Sequence, residues 1–169
     1  MTPALQKLID CTAAAAPRDG ALRPQALLSA IRGSLFDIDL LAHEHRRANP
    51  DTYTRHLLHA DPNGLFSILA IVWSPGQASP VHAHHTWCAV GVYAGELTEC
   101  HYRAAPGDVY PVEVKSVRRG VGDSCFDAGR DGIHRIANLS DQLAISIHVY
   151  GVGADRIVTG INRVYAMPV

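Results

Sequence analysis

The chain lacks a long hydrophobic run, a surplus of either charge and a cysteine framework. No apolar stretch approaches the ~20 residues that a membrane helix requires. Fifteen Lys and Arg stand against sixteen Asp and Glu, for a formal net charge of -1, so the basic footprint of a nucleic-acid binder is missing. The four cysteines, Cys11, Cys88, Cys100 and Cys125, include no C-x-x-C pair. That argues against a disulfide scaffold or a thiolate zinc site and suits a reducing, cytoplasmic setting. Lys7 and Asp10 interrupt the N-terminal apolar pattern, so a signal peptide is not expected.

What is present is ordinary globular material, 47% apolar and 18% charged over 169 residues, enough for one domain with one core. Residues 1–49 read as a helical layer. Leu5, Leu8 and Ile9 share one face, as do Leu27, Leu28 and Ile31, and then Ile38, Leu41, Ala42 and His45. Pro3 suits a first helical turn, Ser34 with Asp37 resembles a capping pair, Pro17–Gly20 separates the first two helices, and Asn49-Pro50 stops the third.

After Pro50 the pattern becomes short runs of Val, Ile, Thr and Tyr between turn residues. Strands are expected at Tyr53–His59, Leu65–Trp73, Val81–Tyr93, Glu96–Arg103, Val112–Val117, Ser124–Phe126, Ile133–Leu139, Leu143–Tyr150 and Ile157–Tyr165. Asp61-Pro62-Asn63-Gly64 is a strong turn signal. Leu65–Trp73 is nearly all apolar, which predicts burial on both faces. Strands at this spacing, with glycine at the corners, suggest a mainly β double-sheet barrel or jelly roll. The whole of 1–169 then reads as a single domain, with the barrel over 50–169.

Ten histidines are many for this length, and three stand out by position. His82 and His84 are two apart, which puts both on one face of a strand. His134, some fifty residues on, can complete a set of three neutral nitrogen ligands that leaves part of a metal's coordination sphere open, as catalytic sites do. Taken alone, His134 reads as a hydrogen-bonded core histidine; it is the combination with His82 and His84 that points to a metal. His43 and His45 fall on different helix faces. His56, His59, His85 and His101 have no ligand spacing, although His85 adjoins His84.

Gly76 to Gly95 reads G-x5-H-x-H-x3-C-x6-G, and His134-Arg-Ile-Ala-Asn138 reads H-x3-N. These resemble the two signatures of the cupins, small double-sheet barrels that hold a metal inside, with Cys88 in place of the usual glutamate ligand. Two further elements sharpen the match. Ser146, His148 and Tyr150 alternate along one strand, so hydroxyl, imidazole and phenol can form a hydrogen-bonded row. Tyr53-Thr54-Arg55 places a guanidinium early in a barrel strand without an acidic neighbour on that strand, a natural clamp for a carboxylate.

Together the four motifs resemble the cysteine dioxygenase family of cupin thiol dioxygenases, over roughly residues 50–151. The resemblance implies Fe(II) on His82, His84 and His134, with O2 as co-substrate. It implies a Ser146–His148–Tyr150 row beside the metal, Arg55 with Tyr53 at the substrate carboxylate, and a Cys88–Tyr150 thioether of the kind some animal members form. Bacterial members that oxidise mercaptopropionate carry glutamine at the position of Arg55 and use a C-terminal arginine, for which this chain offers Arg156 and Arg163. The expected activity is oxidation of a small thiol carboxylate to its sulfinic acid, with L-cysteine favoured and 3-mercaptopropionate or mercaptosuccinate as alternatives. Ala83 stands where an aspartate is common between the two histidines, which leaves the outer support of the ligands open. The remaining reading is a non-redox metal-binding cupin: an isomerase, a sugar-binding module or a sensor. Such proteins usually keep the glutamate that is missing here. The expected partner is a small-molecule thiol, with no nucleic acid or membrane, for a monomer or weak oligomer.

Overall fold

The computed structural model describes residues 1–16, 21, 23–105, 107, 109–129, 131–157 and 162–168. Helix α1 spans Pro3–Ala15 and opens with Pro3 in its first turn, while the Thr2 side chain accepts from the Leu5 N–H. Proline costs nothing there because its missing N–H has no helical partner anyway. Helix α2 spans Pro24–Arg32. Leu5, Leu8 and Ile9 of α1 and Leu27 and Ile31 of α2 are buried in one cluster with the sheet below them. The expected separator Pro17–Gly20 lies outside the described residues.

The third helix expected over Ile38–His45 does not form; a single 3-10 turn, His43–Arg46, takes its place. The carbonyls such a helix would use are engaged elsewhere. Arg46 donates to the Ile38 and Leu41 carbonyls, and the Tyr93 hydroxyl donates to those of Asp37 and Ile38. Ser34 and Asp37 are not a helix cap: Asp37 accepts from the Asp39 N–H in a local turn, and Ser34 Oγ donates to the Ala30 carbonyl.

Among the described residues ten strands follow: β1 Thr54–Ala60, β2 Ser67–Trp73, β3 His82–His84, β4 Cys88–Ala94, β5 Leu97–Arg103, β6 Val112–Arg119, β7 Ser124–Asp127, β8 His134–Ala137, β9 Ala144–Tyr150 and β10 Asn162–Val164. They form two five-stranded sheets, β1-β2-β9-β4-β7 and β10-β3-β8-β5-β6, with antiparallel pairing throughout. This is a mainly β cupin-type double-sheet barrel with N-terminal helices. The expected Val81–Tyr93 strand is split, because the chain crosses from one sheet to the other between His84 and Cys88. Of the expected Ile157–Tyr165 strand, Asn162–Val164 is seen as β10. Ala154–Arg156 is a 3-10 turn, and residues 158–161 lie outside the described set.

Strands β2 and β9 explain why an apolar run can carry a polar site. Both are buried at every position. Ile68, Ala70 and Val72 of β2, with Ile145, Ile147 and Val149 of β9, pack under the helices. The alternate residues, including Leu69, Ile71 and Trp73, with Ser146, His148 and Tyr150, face into the barrel. The helical layer therefore seals the back of the sheet that presents the site.

Helix α2 sits so close to β4 that a Cβ at Gly91 would lie 2.5 Å from Ile31 Cγ2 and 2.9 Å from Leu35 Cδ1. Overpacking of this kind costs ~1–3 kcal/mol. Gly91→Val should lower the urea midpoint by a corresponding amount, and an unchanged midpoint would show that the helical layer is not held against β4.

Candidate metal centre and ligand cavity

Strand β3 places His82 and His84 on the inner face, and β8 brings His134 opposite His82 as its cross-strand partner. The three rings are buried, their centroids lie 4.7 to 5.0 Å apart, and one nitrogen from each lies within 4.8 Å of the others.

Each ring is tethered through its other nitrogen. His82 Nδ1 lies 2.9 Å from the Pro80 carbonyl, His84 Nδ1 lies 3.1 Å from Asn162 Oδ1, and His134 Nδ1 lies 2.9 Å from Glu99 Oε1. All three partners are acceptors, so each Nδ1 carries its proton and each Nε2 is turned toward the shared centre. The Nε2 atoms of His84 and His134 stand 3.1 Å apart. Two imidazole nitrogens at that distance need a proton or a metal ion between them. Burial, reinforced by the neighbouring imidazoles, pushes His82 down to about 4 and His84 down to about 2. Both are therefore neutral at pH 7 and available as ligands. The donor set fits a divalent metal with a three-nitrogen face.

The missing aspartate between the histidines is thus made good from elsewhere. Glu99 and Asn162 were not singled out from the sequence. Glu99, on β5, also accepts from Arg119 and lies 3.5 Å from His101. Burial pushes its carboxyl up, but His134 and Arg119 outweigh that and hold it at about 2. The available signal was an acid on the inner face of an otherwise apolar strand start, Leu97-Thr-Glu99, because an inward carboxylate demands a partner. Asn162 had no signal, since it reaches the site only through the β10–β3 pairing. A cavity of about 220 Å³ lies on the Glu99 side of His134, where that ring's nitrogen is already engaged.

A second, smaller cavity of about 20 Å³, the candidate ligand cavity, is lined by Tyr53, Arg55, Trp73, His148, Tyr150 and the three histidines, among others. Ser146 Oγ lies 2.8 Å from His148 Nε2, and His148 Nδ1 lies 3.2 Å from the Tyr150 hydroxyl. The Tyr150 ring packs edge-on against His84, with centroids 5.4 Å apart. Burial pushes His148 down to about 3 and pushes the Tyr150 phenol up, so the row is uncharged at pH 7. Cys88 is the β-ladder partner of Tyr150, and burial raises its thiol.

Arg55 donates to the Tyr53 hydroxyl at 2.8 Å and lies over its ring; among the described residues it pairs with no carboxylate. Arg156 and Arg163 are not brought to this cavity. Arg156 is exposed on its 3-10 turn. Arg163 alternates with inward-facing Asn162 and so stacks on Tyr165 beside His85, on the outer side of β3. His85 likewise lines that outer recess and not the ligand cavity.

Residues 41–158 match the family model described as Cysteine dioxygenase type I. The chain is 30% identical to the human protein named cysteine dioxygenase type 1 over 102 residues, which is 58% of this chain and 50% of that one, and the protein of the same name from Pongo abelii gives the same values. The chain thus spans about half the length of these curated relatives. Two solved structures share the fold. TT1209 from Thermus thermophilus aligns with a TM-score of 0.52 at 19% identity, over 64% of this chain and 91% of that one. A Klebsiella pneumoniae protein with a double-stranded β-helix domain aligns with a TM-score of 0.51 at 16% identity, over 73% and 93%.

Two outcomes are expected from this geometry. Glu99→Gln keeps the shape but removes the charge that braces His134, so metal affinity should fall by ~10–100-fold in competition with a chromophoric chelator; unchanged affinity would contradict the brace. Unfolded histidines titrate near 6.5, whereas folded His82 titrates near about 4 and His148 near about 3. Between those values the unfolded chain binds more protons, so stability is lost as pH falls through that window. The urea midpoint of metal-free protein should drop steadily below pH 6.5, and a flat profile would show that these imidazoles are not held neutral.

Proposed function

The chain belongs to the cysteine dioxygenase type I family, and on that premise we propose that it is an Fe(II)-dependent thiol dioxygenase that converts a small thiol carboxylate, L-cysteine before others, and O2 into the sulfinic acid. The observation that carries the reading is the convergence, in one cavity, of three imidazole nitrogens, a phenol–imidazole–hydroxyl row and an arginine that pairs with no carboxylate among the described residues. A ferrous ion held by His82, His84 and His134 would supply the redox chemistry and the open positions that a thiolate and dioxygen need.

The chain's own residues do the rest. Arg55, oriented by Tyr53, binds the carboxylate and so holds the sulfur at the three-histidine face, removing rotational freedom before reaction. Trp73, Ile71 and Ile136 form the apolar wall of the cavity, while Arg55 stands exposed at its edge. Tyr150, neutral and hydrogen-bonded to His148, offers a donor to the bound reactants. The β-ladder pairing of Cys88 with Tyr150 supports a thioether between them. With no acidic side chain beside the three histidines in the fourth ligand position among the described residues, the three-nitrogen face leaves the ion's charge to be offset by the substrate thiolate, which favours thiol oxidation over non-redox cupin chemistry. A single arginine suits a monocarboxylate, so 3-mercaptopropionate is the nearer alternative and mercaptosuccinate the more distant one. Residues 1–169 act as one cupin domain, a monomer or weak oligomer, and the wide spacing of the four cysteines supports a reducing, cytoplasmic setting.

Oxygen uptake should follow addition of L-cysteine to iron-loaded protein, cease on chelation and return with Fe(II) but not Zn(II). Cysteamine, which has no carboxylate, should be a poor substrate, and Arg55→Gln should lower kcat/KM for cysteine by roughly 10²-fold. The reading fails if no thiol carboxylate drives oxygen uptake, and the clamp fails if cysteamine equals cysteine.

A further inference from the structure

The two ends of the proposed substrate are held by different sheets. His82, His84 and His134 lie on β3 and β8, whereas Arg55 lies on β1, an edge strand of the other sheet. One side chain ties the stretch leading into β1 to the histidine-bearing sheet. The loop that carries Gln77 is fastened along β8 and its end. Gly76 N–H donates to the Asn138 carbonyl and Asn138 N–H to the Gln77 carbonyl, each at 2.9 Å, and Ser79 N–H donates to the Ile136 carbonyl at 2.8 Å. From this anchored loop the Gln77 amide reaches across. Its Oε1 accepts from the Ser74 N–H at 2.8 Å, and its Nε2 donates to the Asn49 carbonyl at 2.8 Å and to the Pro50 carbonyl at 3.4 Å. A glutamine amide has one acceptor oxygen and two donor protons, so this one is engaged at both ends. Among the described residues, no other hydrogen bond joins residues 47–60 to β3, β8 or the loop between β2 and β3. Asn49 Oδ1 accepts from the Asp51 N–H. Two residues further on, Tyr53 stacks on Trp73 and receives the Arg55 guanidinium.

We infer that Gln77 is a positioning residue that fixes the span between the three-histidine centre and the Arg55 guanidinium, and so selects thiol carboxylates by the number of carbons between sulfur and carboxylate. This role presupposes the thiol dioxygenase reading, in which Arg55 takes the carboxylate. A substrate gripped at both ends is measured against the gap between the grips. L-cysteine and 3-mercaptopropionate place two carbons in that gap, mercaptoacetate one and 4-mercaptobutyrate three. A site with fixed walls discriminates one methylene by roughly 10- to 200-fold. The discrimination weakens when one grip can shift. Strand β1 pairs with β2 alone, so without the Gln77 clasp its leading stretch is restrained from its own sheet but not from the sheet that carries the histidines.

Gln77→Met keeps the length of the side chain and removes the hydrogen bonds of its amide. In cobalt-loaded protein, thiolate binding is read from the sulfur-to-cobalt absorption without turnover. There the Kd of L-cysteine should rise by roughly three- to tenfold in Gln77→Met, the worth of a neutral hydrogen bond. The Kd of cysteamine should not move, because cysteamine has nothing for Arg55 to hold; a merely structural loss would weaken both thiols alike. The effect on cysteine should vanish in an Arg55→Gln background, since the clasp acts only through the guanidinium. In iron-loaded protein, the ratio of kcat/KM for 3-mercaptopropionate to that for 4-mercaptobutyrate should fall by a similar factor. Gln77→Glu keeps the acceptor for Ser74 and turns a carboxylate oxygen on the Asn49 and Pro50 carbonyls, so it should act in the same direction and decides the point if Gln77→Met does not fold. An unchanged cysteine Kd, an equal loss for cysteamine, an unchanged chain-length ratio or a loss that persists with Arg55→Gln overturns the role. Cobalt Kd values that shift as stated, without oxygen uptake on any thiol, sustain the clasp and overturn the dioxygenase reading. Cobalt-loaded protein that binds no thiol overturns both.

Discussion

The site depends on one constraint: three buried imidazoles must turn the same nitrogen inward. Burial alone does not do this, because a histidine ring can flip and either nitrogen can bind a metal. The orientation comes from three acceptors of different kinds, the carbonyl of Pro80, the amide of Asn162 and the carboxylate of Glu99. Each holds one Nδ1–H, and the three Nε2 atoms are left facing a common centre. The lowered proton affinities of His82 and His84 follow from the same burial, so the arrangement that aims the nitrogens also keeps two of them unprotonated.

That arrangement needs a barrel whose two sheets do different work. Strands β3, β8 and β5 carry the three histidines and Glu99 in one sheet, while β2 and β9 carry Trp73 and the Ser146–His148–Tyr150 row in the other. The helical layer covers the back of β2 and β9, so the residues of the row sit in a dry interior where a hydroxyl or ring proton has few acceptors to choose from. In water each of these groups would bond in several ways; inside the barrel Ser146 meets Trp73 and His148, and His148 meets Ser146 and Tyr150.

Much of this was legible before any coordinates. The period-two alternation of strands put His82 with His84, and Ser146 with His148 and Tyr150, on common faces. The turn at Asp61–Gly64 and the buried run of β2 stand where the residues suggested. The failures have local causes. The apolar periodicity of Ile38–His45 implied a helix, but Arg46 and Tyr93 bind the carbonyls it required. The continuous pattern of Val81–Tyr93 concealed a crossing between sheets. Arg163 looked available to the substrate, yet one step of alternation from Asn162 turns it outward.

The sequence by itself determined which chemical groups the protein has and which of them share a strand face, because alternation is a property of a few consecutive residues. It also sufficed for the double-sheet fold and the likeness to thiol dioxygenases. Only the tertiary structure decided what each group touches. Glu99 reaches His134 across 35 positions of chain, Asn162 reaches His84 across 78, and Trp73 reaches Ser146 across 73. Such meetings depend on which strands become neighbours and in what register. Those are set by packing over the whole barrel, and no local stretch of residues records them.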